Sequence, residues 1–428
     1  MSLNKLTQYF KQQVAPGEWP LLLASFLYFF FLLSGYFLIR SIREQMGVVA
    51  GVENYHWLFL GTLLVTLAIQ PIYGRIVSKY TRRVFLPYIY GFFALVILVF
   101  WLCFHYFGIT KGLARSFFIF ISVYNVFIVS LFWSFMADVY TKSQGKRLFG
   151  LIASGGSAGG IVGPLLGVVL VDVVGAINLI FVSFLCMLLV LCMLFIVRRH
   201  ASDSQVDRSA PMGGSSIEGF KLIFESKLLQ QIALMTVLAT FLGSLLYTLQ
   251  GIYVSQYVEA GNQQTKAFNQ INLITNSLTL FFQLVLTPYL LQRVKIHKTL
   301  AILPTLLVFV FALIGMVPII YVVLGGIIIQ RSGAYGIMKP PTDWLFTGLD
   351  AKTKYKFKNF LDTVVYRTGD TLAQWIIKGI TTITKNIHVL AAVGVILAIW
   401  WVRNAWRVGK LADEHYKNNG RSEKPLSD

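Results

Sequence analysis

The sequence predicts an all-α membrane protein of twelve transmembrane helices arranged as two six-helix bundles. Three observations carry this. Charged residues make up 13% and hydrophobic residues 56% of the chain, with mean hydropathy +0.67, where a soluble domain carries about 25% charged residues. Twelve apolar runs approach the ~20 residues needed to cross roughly 30 Å of hydrocarbon. The longest polar stretch, RRHASDSQVDRSAPMGGSSIEGFKLIFES, divides those runs six and six.

The first six spans are expected near residues 19–45, 55–77, 84–106, 113–139, 148–172 and 174–197. The second six are expected near 228–257, 266–292, 298–316, 318–340, 359–384 and 387–405. This sets an N-terminal bundle over 1–197, a linker over 198–227 and a C-terminal bundle with its tail over 228–428. Lys5 and Lys11 give a basic start, but the apolar run Leu21–Ile39 exceeds the ~7–15 residues of a secretory signal core. It is read as a retained first span. In the linker, Ser215 and Glu218 form a capping-box pattern, and Ile217, Phe220 and Phe224 share one face. That pattern predicts a short amphipathic helix lying on the membrane surface.

The net charge of +19 would suggest nucleic acid in a soluble chain. Here the cations gather in alternate loops, and no nucleic-acid fold motif accompanies them. They lie in RIVSKYTRR after span two, at Lys142, Lys146 and Arg147, in the linker, at Arg293, Lys295 and Lys298, and at Lys352, Lys354, Lys356 and Lys358. By the positive-inside pattern these loops and both termini are expected to be cytoplasmic. Cys103, Cys186 and Cys192 sit in apolar runs without a CxxC and are read as core residues. The six histidines lack metal-ligand spacing, so no metal and no cofactor are expected. No catalytic constellation points to an enzyme.

Spans three, six, nine and twelve carry essentially no ionisable residue in their middles and are expected to face lipid. Span eight is the opposite case. Asn269, Asn272, Asn276, Thr279, Gln283 and Thr287 recur at three- and four-residue steps. A few amides can glue helices together, but six in register favour a face open to water or substrate. Span eleven places Asp362, Tyr366, Asp370, Gln374 and Lys378 similarly, with Arg367 one turn from Asp370. Span ten puts Gln330 and Arg331 near mid-membrane, with Tyr335 one turn on. Ionisable groups at that depth are costly and mark functional sites by default; the plain alternative is an internal salt bridge, with Asp370 as one partner. Span seven adds Tyr247, Gln250, Tyr253 and Tyr257, and span four adds Asn125 and, near its cytoplasmic end, Asp138.

Span one ends in YFLIRSIREQMG, where Arg40, Arg43 and Glu44 share a face. These arginines fall at the outer end of the span, where boundary arginines are not expected. They are read as a wall of an anion site, against the plainer reading of an Arg40–Glu44 pair at a helix end. Aromatic neighbours Tyr36, Tyr247, Tyr253, Tyr335 and Trp375 would stack a base or line a cavity.

In span five, Gly155, Gly159, Gly163 and Gly167 recur every four residues, beside Gly156 and Gly160. Such a stripe lets two helices touch backbone to backbone. A phosphate-binding loop is excluded because no GKS or GKT follows and no strand precedes. Pro164 adds an expected kink.

Two motifs resemble the major facilitator superfamily. GRIVSKYTRR keeps Gly74, Lys79, Arg82 and Arg83 of its loop after span two, with Ser78 where the acid stands. Gly150, Gly159, Gly163, Pro164 and Gly167 match its span-five antiporter motif, with Val168 for the last glycine. A narrower resemblance, to the ATP/ADP translocase type, rests on YFLIRSIREQMGV, FWSFMADVYTKSQGKRLFG and RSGAYGIMKPPTDWLFTGLDAKTKYKFKNFLDTVVYRTGD. The resemblance implies a secondary active transporter working by alternating access around a central cavity. Its substrate would be a nucleotide or another phosphorylated anion, moved by exchange or proton coupling. Substrate contacts are expected from Arg40, Arg43, Tyr247, Asn272, Asn276, Arg331, Tyr335 and Arg367, and coupling or gating from Glu44, Asp370 and Asp138. The alternatives are a carrier of a non-nucleotide solute and a lipid-moving or envelope-scaffolding protein. The expected partners are a small anionic solute and membrane lipid, without nucleic acid, and with a monomer as the working state.

Overall fold

The computed structural model describes residues 14–79, 82–201, 223, 226–346, 353, 357–358 and 360–418. Twelve long helices run through the described residues: α1 (Trp19–Val49), α2 (Tyr55–Lys79), α3 (Arg82–Phe107), α4 (Lys111–Val139), α5 (Lys142–Val174), α6 (Ala176–His200), α7 (Lys227–Tyr257), α8 (Asn262–Arg293), α9 (Ile296–Met316), α10 (Ile320–Leu345), α11 (361–383) and α12 (Ile387–Asn418). Lipid offers no partner to a bare peptide group, so each span satisfies its backbone internally as a helix. Eleven of them are long and apolar enough to cross a membrane. The twelfth, α11, carries Asp362, Arg367, Asp370 and Lys378 and falls short on composition alone. The linker pattern of Ser215, Ile217, Glu218, Phe220 and Phe224 lies outside the described residues.

Local chemistry sets the helix ends. α5 starts at Lys142, earlier than expected, because Thr141 Oγ1 accepts from the Gln144 amide while Gln144 Oε1 accepts from the Thr141 amide. It stops at Gly175, whose φ of 82° lets the chain turn straight into α6. α12 runs on to Asn418, beyond the expected 405.

The chain divides into two compact units. The first comprises Met1–Ala50, Leu64–Met212 and Glu259–Leu273. There α1 is the central element and packs against α4, α5 and α6. The glycine stripe explains the α1–α5 seam: a Cβ at 155, 159 or 163 would run into the backbone carbonyl of Phe26, Phe30 or Ser34. Glu18, before α1, accepts hydrogen bonds from Arg147 (2.9 and 3.1 Å) and Gln144 (3.0 Å) and ties that seam at its end. Tyr28, Tyr90 and Phe132 pack edge to face in the core.

The second unit comprises Gly51–Leu63, Gly213–Val258 and Ile274–Asp428. In it α9 packs along α12, and α7 packs against α10, α11 and α12. Both α8 and α10 loosen into a π-helical turn, at 282–286 and 334–338. The widened turn of α10 is stitched by α8: Gln283 Nε2 donates to the Tyr335 carbonyl at 3.1 Å and Thr287 Oγ1 to the Gly336 carbonyl at 2.6 Å. A third π-helical turn opens α11 at 361–365. Such turns gather at functional sites in general.

On the helices expected to face lipid, Phe92, Leu95 and Val99 of α3, Leu185, Leu188 and Phe195 of α6, Leu306, Phe309 and Leu313 of α9, and Ile396, Ile399 and Trp400 of α12 are exposed, and so are Leu64 and Leu67 of α2, Val169 and Val173 of α5 and Phe281 and Leu284 of α8. The expectation of core cysteines needs correcting. Cys103 and Cys186 are half-buried and Cys192 is exposed, all as free thiols. A thiol is apolar enough to face hydrocarbon, so burial is not required of it.

Candidate functional site

In the first unit the end of α1 forms a compact charge cluster. Arg43 Nη2 donates to Glu44 Oε1 at 2.6 Å, and Arg40 Nε lies 3.8 Å from the same oxygen. Arg43 also donates to Ser122 Oγ of α4 at 3.2 Å and stacks over Phe118 with its guanidinium carbon 4.9 Å from the ring centre. Arg40 lies over Phe37 at 5.4 Å. Glu44 is 2% exposed, against 18% and 14% for the arginine side chains. The carboxylate is thus the buried anchor of the cluster.

The same stretch of α1 holds α8. Ser41 Oγ donates to Asn269 Oδ1 at 2.9 Å and accepts from Asn272 Nδ2 at 3.0 Å, and Thr265 Oγ1 donates to Gln45 Oε1 at 2.5 Å. Asn269 also packs against Gly167 of α5, where a Cβ would strike its amide. Lys266 pairs with Asp172 of α5. This corrects the expectation of a polar stripe open along the whole of span eight. Asn269 and Asn272 are packed against α1, and Gln283 and Thr287 hold α10. Low dielectric makes any amide near a partner's polar group pair with it. Asn272, expected among the substrate contacts, is therefore a buried helix-to-helix donor. Between these two anchorages Asn276 and Thr279 are half-buried.

In the second unit Arg331 sits in α10 at 9% exposure. Its Nη2 lies 3.5 Å from Gln250 Oε1 of α7, and its guanidinium carbon lies 5.8 Å over the Tyr247 ring. Gln250 is 1% exposed, and its Nε2 has no hydrogen-bond partner among the described residues. Tyr247 packs against Tyr55 (5.3 Å) and Phe59 (5.6 Å) of α2. The result is a cation, a spare amide donor and an aromatic face converging at membrane depth.

α11 contributes a neighbouring polar seam. Ser244 Oγ of α7 donates to Asp370 Oδ1 at 3.1 Å, Thr248 Oγ1 donates to Gln374 Oε1 at 3.1 Å, and Gln374 Nε2 donates to the Ser244 carbonyl at 3.3 Å. Arg367 is half-buried on the turn before Asp370. Trp375 packs on His56 (4.6 Å) and Trp57 (5.1 Å). Tyr335 is 53% exposed, Tyr36 is buried beside Tyr124, and Tyr253 donates to the Pro318 carbonyl at 2.9 Å. Asp138 is half-buried one residue before the end of α4.

Several residues of these clusters are absent from the site that the sequence predicts: Ser41, Gln45, Ser122, Ser244 and Thr248. Ser41 and Gln45 stand four apart and flank Arg43–Glu44, which is the signal the sequence offers for them. Ser122, Ser244 and Thr248 carry none, since isolated hydroxyls are common in apolar helices. Among the described residues no group of His, Cys, Asp and Glu is placed to hold a metal ion.

The family model described as Major Facilitator Superfamily matches residues 21–349. The chain belongs to the major facilitator superfamily. As a superfamily member it is an integral multi-pass membrane transporter working by alternating access. Solved transporter structures share its fold at low identity. A D-xylose–proton symporter aligns at TM-score 0.63 and 13% identity, over 90% of this chain and 97% of its own. The POT-family transporter PepTSo gives 0.62 and 12%, over 96% and 99%. A point mutant of the nucleoside transporter NupG gives 0.58 and 13%, over 92% and 99%. No curated protein matches the sequence.

The superfamily motifs take their places accordingly. Gly74 and Lys79 close α2, and Arg82 and Arg83 open α3; their side chains lie outside the described residues. Gly159, Gly163 and Pro164 line the α1–α5 seam, and Gly167 accommodates Asn269.

Proposed function

We propose that this superfamily transporter carries a small phosphorylated anion, with nucleotides as the first class to test. The observation that carries the reading is Arg331: a buried guanidinium beside the unpartnered Gln250 amide nitrogen and over the Tyr247 ring. A guanidinium beside a side-chain amide donor suits a ligand made of acceptors. A guanidinium grips phosphate or carboxylate through paired hydrogen bonds. Tyr247 supplies a face on which a base can stack. The likeness of three segments to the ATP/ADP translocase type favours a phosphorylated substrate over a plain carboxylate. Glu44 and Asp370 serve as coupling or gating carboxylates, for exchange or for proton coupling. The basic loops favour cytoplasmic termini, and the likeness to bacterial members of the translocase type favours a bacterial inner membrane.

The test is a thermal-shift screen of the purified protein against nucleotides, sugar phosphates, organic acids and amino acids. Hits proceed to counterflow in proteoliposomes. Stabilisation and exchange confined to phosphorylated compounds are expected. Exchange of neutral solutes alone would overturn the anion reading.

A further inference from the structure

A groove of about 610 Å³ lies on the outer face of the second unit, between α9 and α12. Its lining is apolar along much of its length, with Phe309 from α9 and Ile399 and Val402 from α12. Its rim is not: Arg403, Arg407 and Lys410 stand in one row along α12, all exposed. Four- and three-residue steps put these cations on one helix face.

None of the three forms an ion pair with a described residue. The described acids near this end of α12 are Asp413, 3.6 Å from His297 Nδ1, and the exposed Glu414. Trp406 packs on that same histidine, with ring centres 4.6 Å apart. Helix rise fixes the depth: the twenty residues from Ile387 to Arg407 span about 30 Å, one hydrocarbon thickness. Taking Ile387 as the start of this span, as its apolar run indicates, sets Ile387 and Arg407 near opposite membrane surfaces. Arg403 sits about 6 Å inside, within reach of the surface for a long side chain. From Ile399 to Lys410 the groove runs about 16 Å along the helix.

We propose that this groove is a binding site for one anionic phospholipid. The acyl chain lies over Phe309, Ile399 and Val402, and the phosphate is held by Arg403, Arg407 and Lys410. A soluble anion has no reason to sit in a groove floored with apolar side chains and open to hydrocarbon. A neutral lipid leaves three cations uncompensated at the membrane edge. Only a ligand with an acyl chain and a net negative head satisfies both halves. Seated there, it bridges α9 and α12, the pair that forms one long seam of this unit.

The experiment uses native mass spectrometry of the full chain in detergent, titrated with phosphatidylglycerol or with phosphatidylcholine of the same acyl chains. The wild type is expected to retain one phosphatidylglycerol well above phosphatidylcholine. A cation near an anionic headgroup contributes about a fivefold change in affinity, so R403Q/R407Q/K410Q together should weaken retention on the order of a hundredfold. R198Q/R199Q at the end of α6 should leave it unchanged. Equal retention of the two lipids, or an unaffected triple variant, overturns the site. Displacement of the lipid by millimolar glycerol phosphate overturns it in favour of a free-anion site. Should the triple variant fail to fold, T305W fills the groove without touching a charge. It is expected to lower retention while the gel-filtration profile stays that of the wild type, and unchanged retention overturns the proposal.

Discussion

Arg43 and Glu44, adjacent in sequence, are joined by a 2.6 Å ion pair in which the carboxylate is 2% exposed. Adjacent residues on a helix point about 100° apart, and the guanidinium that bridges this gap also rests on Ser122 and Phe118 of α4. The pair belongs to the packing of α1 on α4 as much as to any ligand site.

Glu44→Gln should therefore be damaging. Removing one partner of a buried ion pair costs about 3–5 kcal/mol because the other charge is left unbalanced. Thermal unfolding of the purified variant is expected to shift well below wild type. Arg40→Gln, which approaches Glu44 only to 3.8 Å and is more exposed, should shift it far less. Equal losses would mean that the three charges act as one unit.

Arg331 makes a separate case. Arg331→Ala is expected to leave folding intact: its hydrogen bond to Gln250 is long, at 3.5 Å, and its contact with the Tyr247 ring is distant, at 5.8 Å, and a melting temperature near wild type checks this. Hydrogen bonds to charged groups are worth about 1.5–3 kcal/mol, roughly a tenfold to hundredfold loss in substrate affinity. Counterflow of the identified substrate should fall accordingly. Wild-type kinetics in this variant would remove Arg331 from the site.

The glycine stripe separates packing from motif. Gly163→Ala drives a methyl into the Ser34 carbonyl of α1, where backbone cannot yield; overpacking of this kind costs about 1–3 kcal/mol. Gly150→Ala meets nothing within 4 Å and should be neutral or stabilising by up to about 1 kcal/mol through helix propensity. Denaturation in detergent distinguishes the two, although both positions match the antiporter motif.

Asn269→Leu tests the packing role of α8. It removes the bond from Ser41 and crowds Gly167. Interhelical polar contacts in membranes average about 0.6 kcal/mol, with an overpacking term of about 1–3 kcal/mol added here. A measurable drop in melting temperature is expected, where a purely water-facing amide would give none.

How much of the molecule is legible in its sequence varies with the kind of residue. The glycine stripe is readable, because only a close approach of two helices explains small residues every four positions. The packing role of Asn269 and Asn272 is not, because an amide that glues helices and one that meets substrate look the same in a string of letters. The Arg40–Glu44 pair, at i,i+4 spacing, is legible, whereas the turn of Arg43 onto Glu44, with its guanidinium on Ser122 and Phe118 of α4, is not.

By itself the sequence determined the helices, their number and their approximate ends. Without water in the bilayer core, each apolar run must close its hydrogen bonds within itself, and that is a local matter. It also determined where the cations gather. Tertiary structure alone decided which polar groups are consumed by packing and which remain available. That choice depends on distances between residues far apart in the chain: 228 positions separate Ser41 from Asn269, and 81 separate Gln250 from Arg331. No local pattern encodes such distances, because they arise only when whole helices are packed side by side.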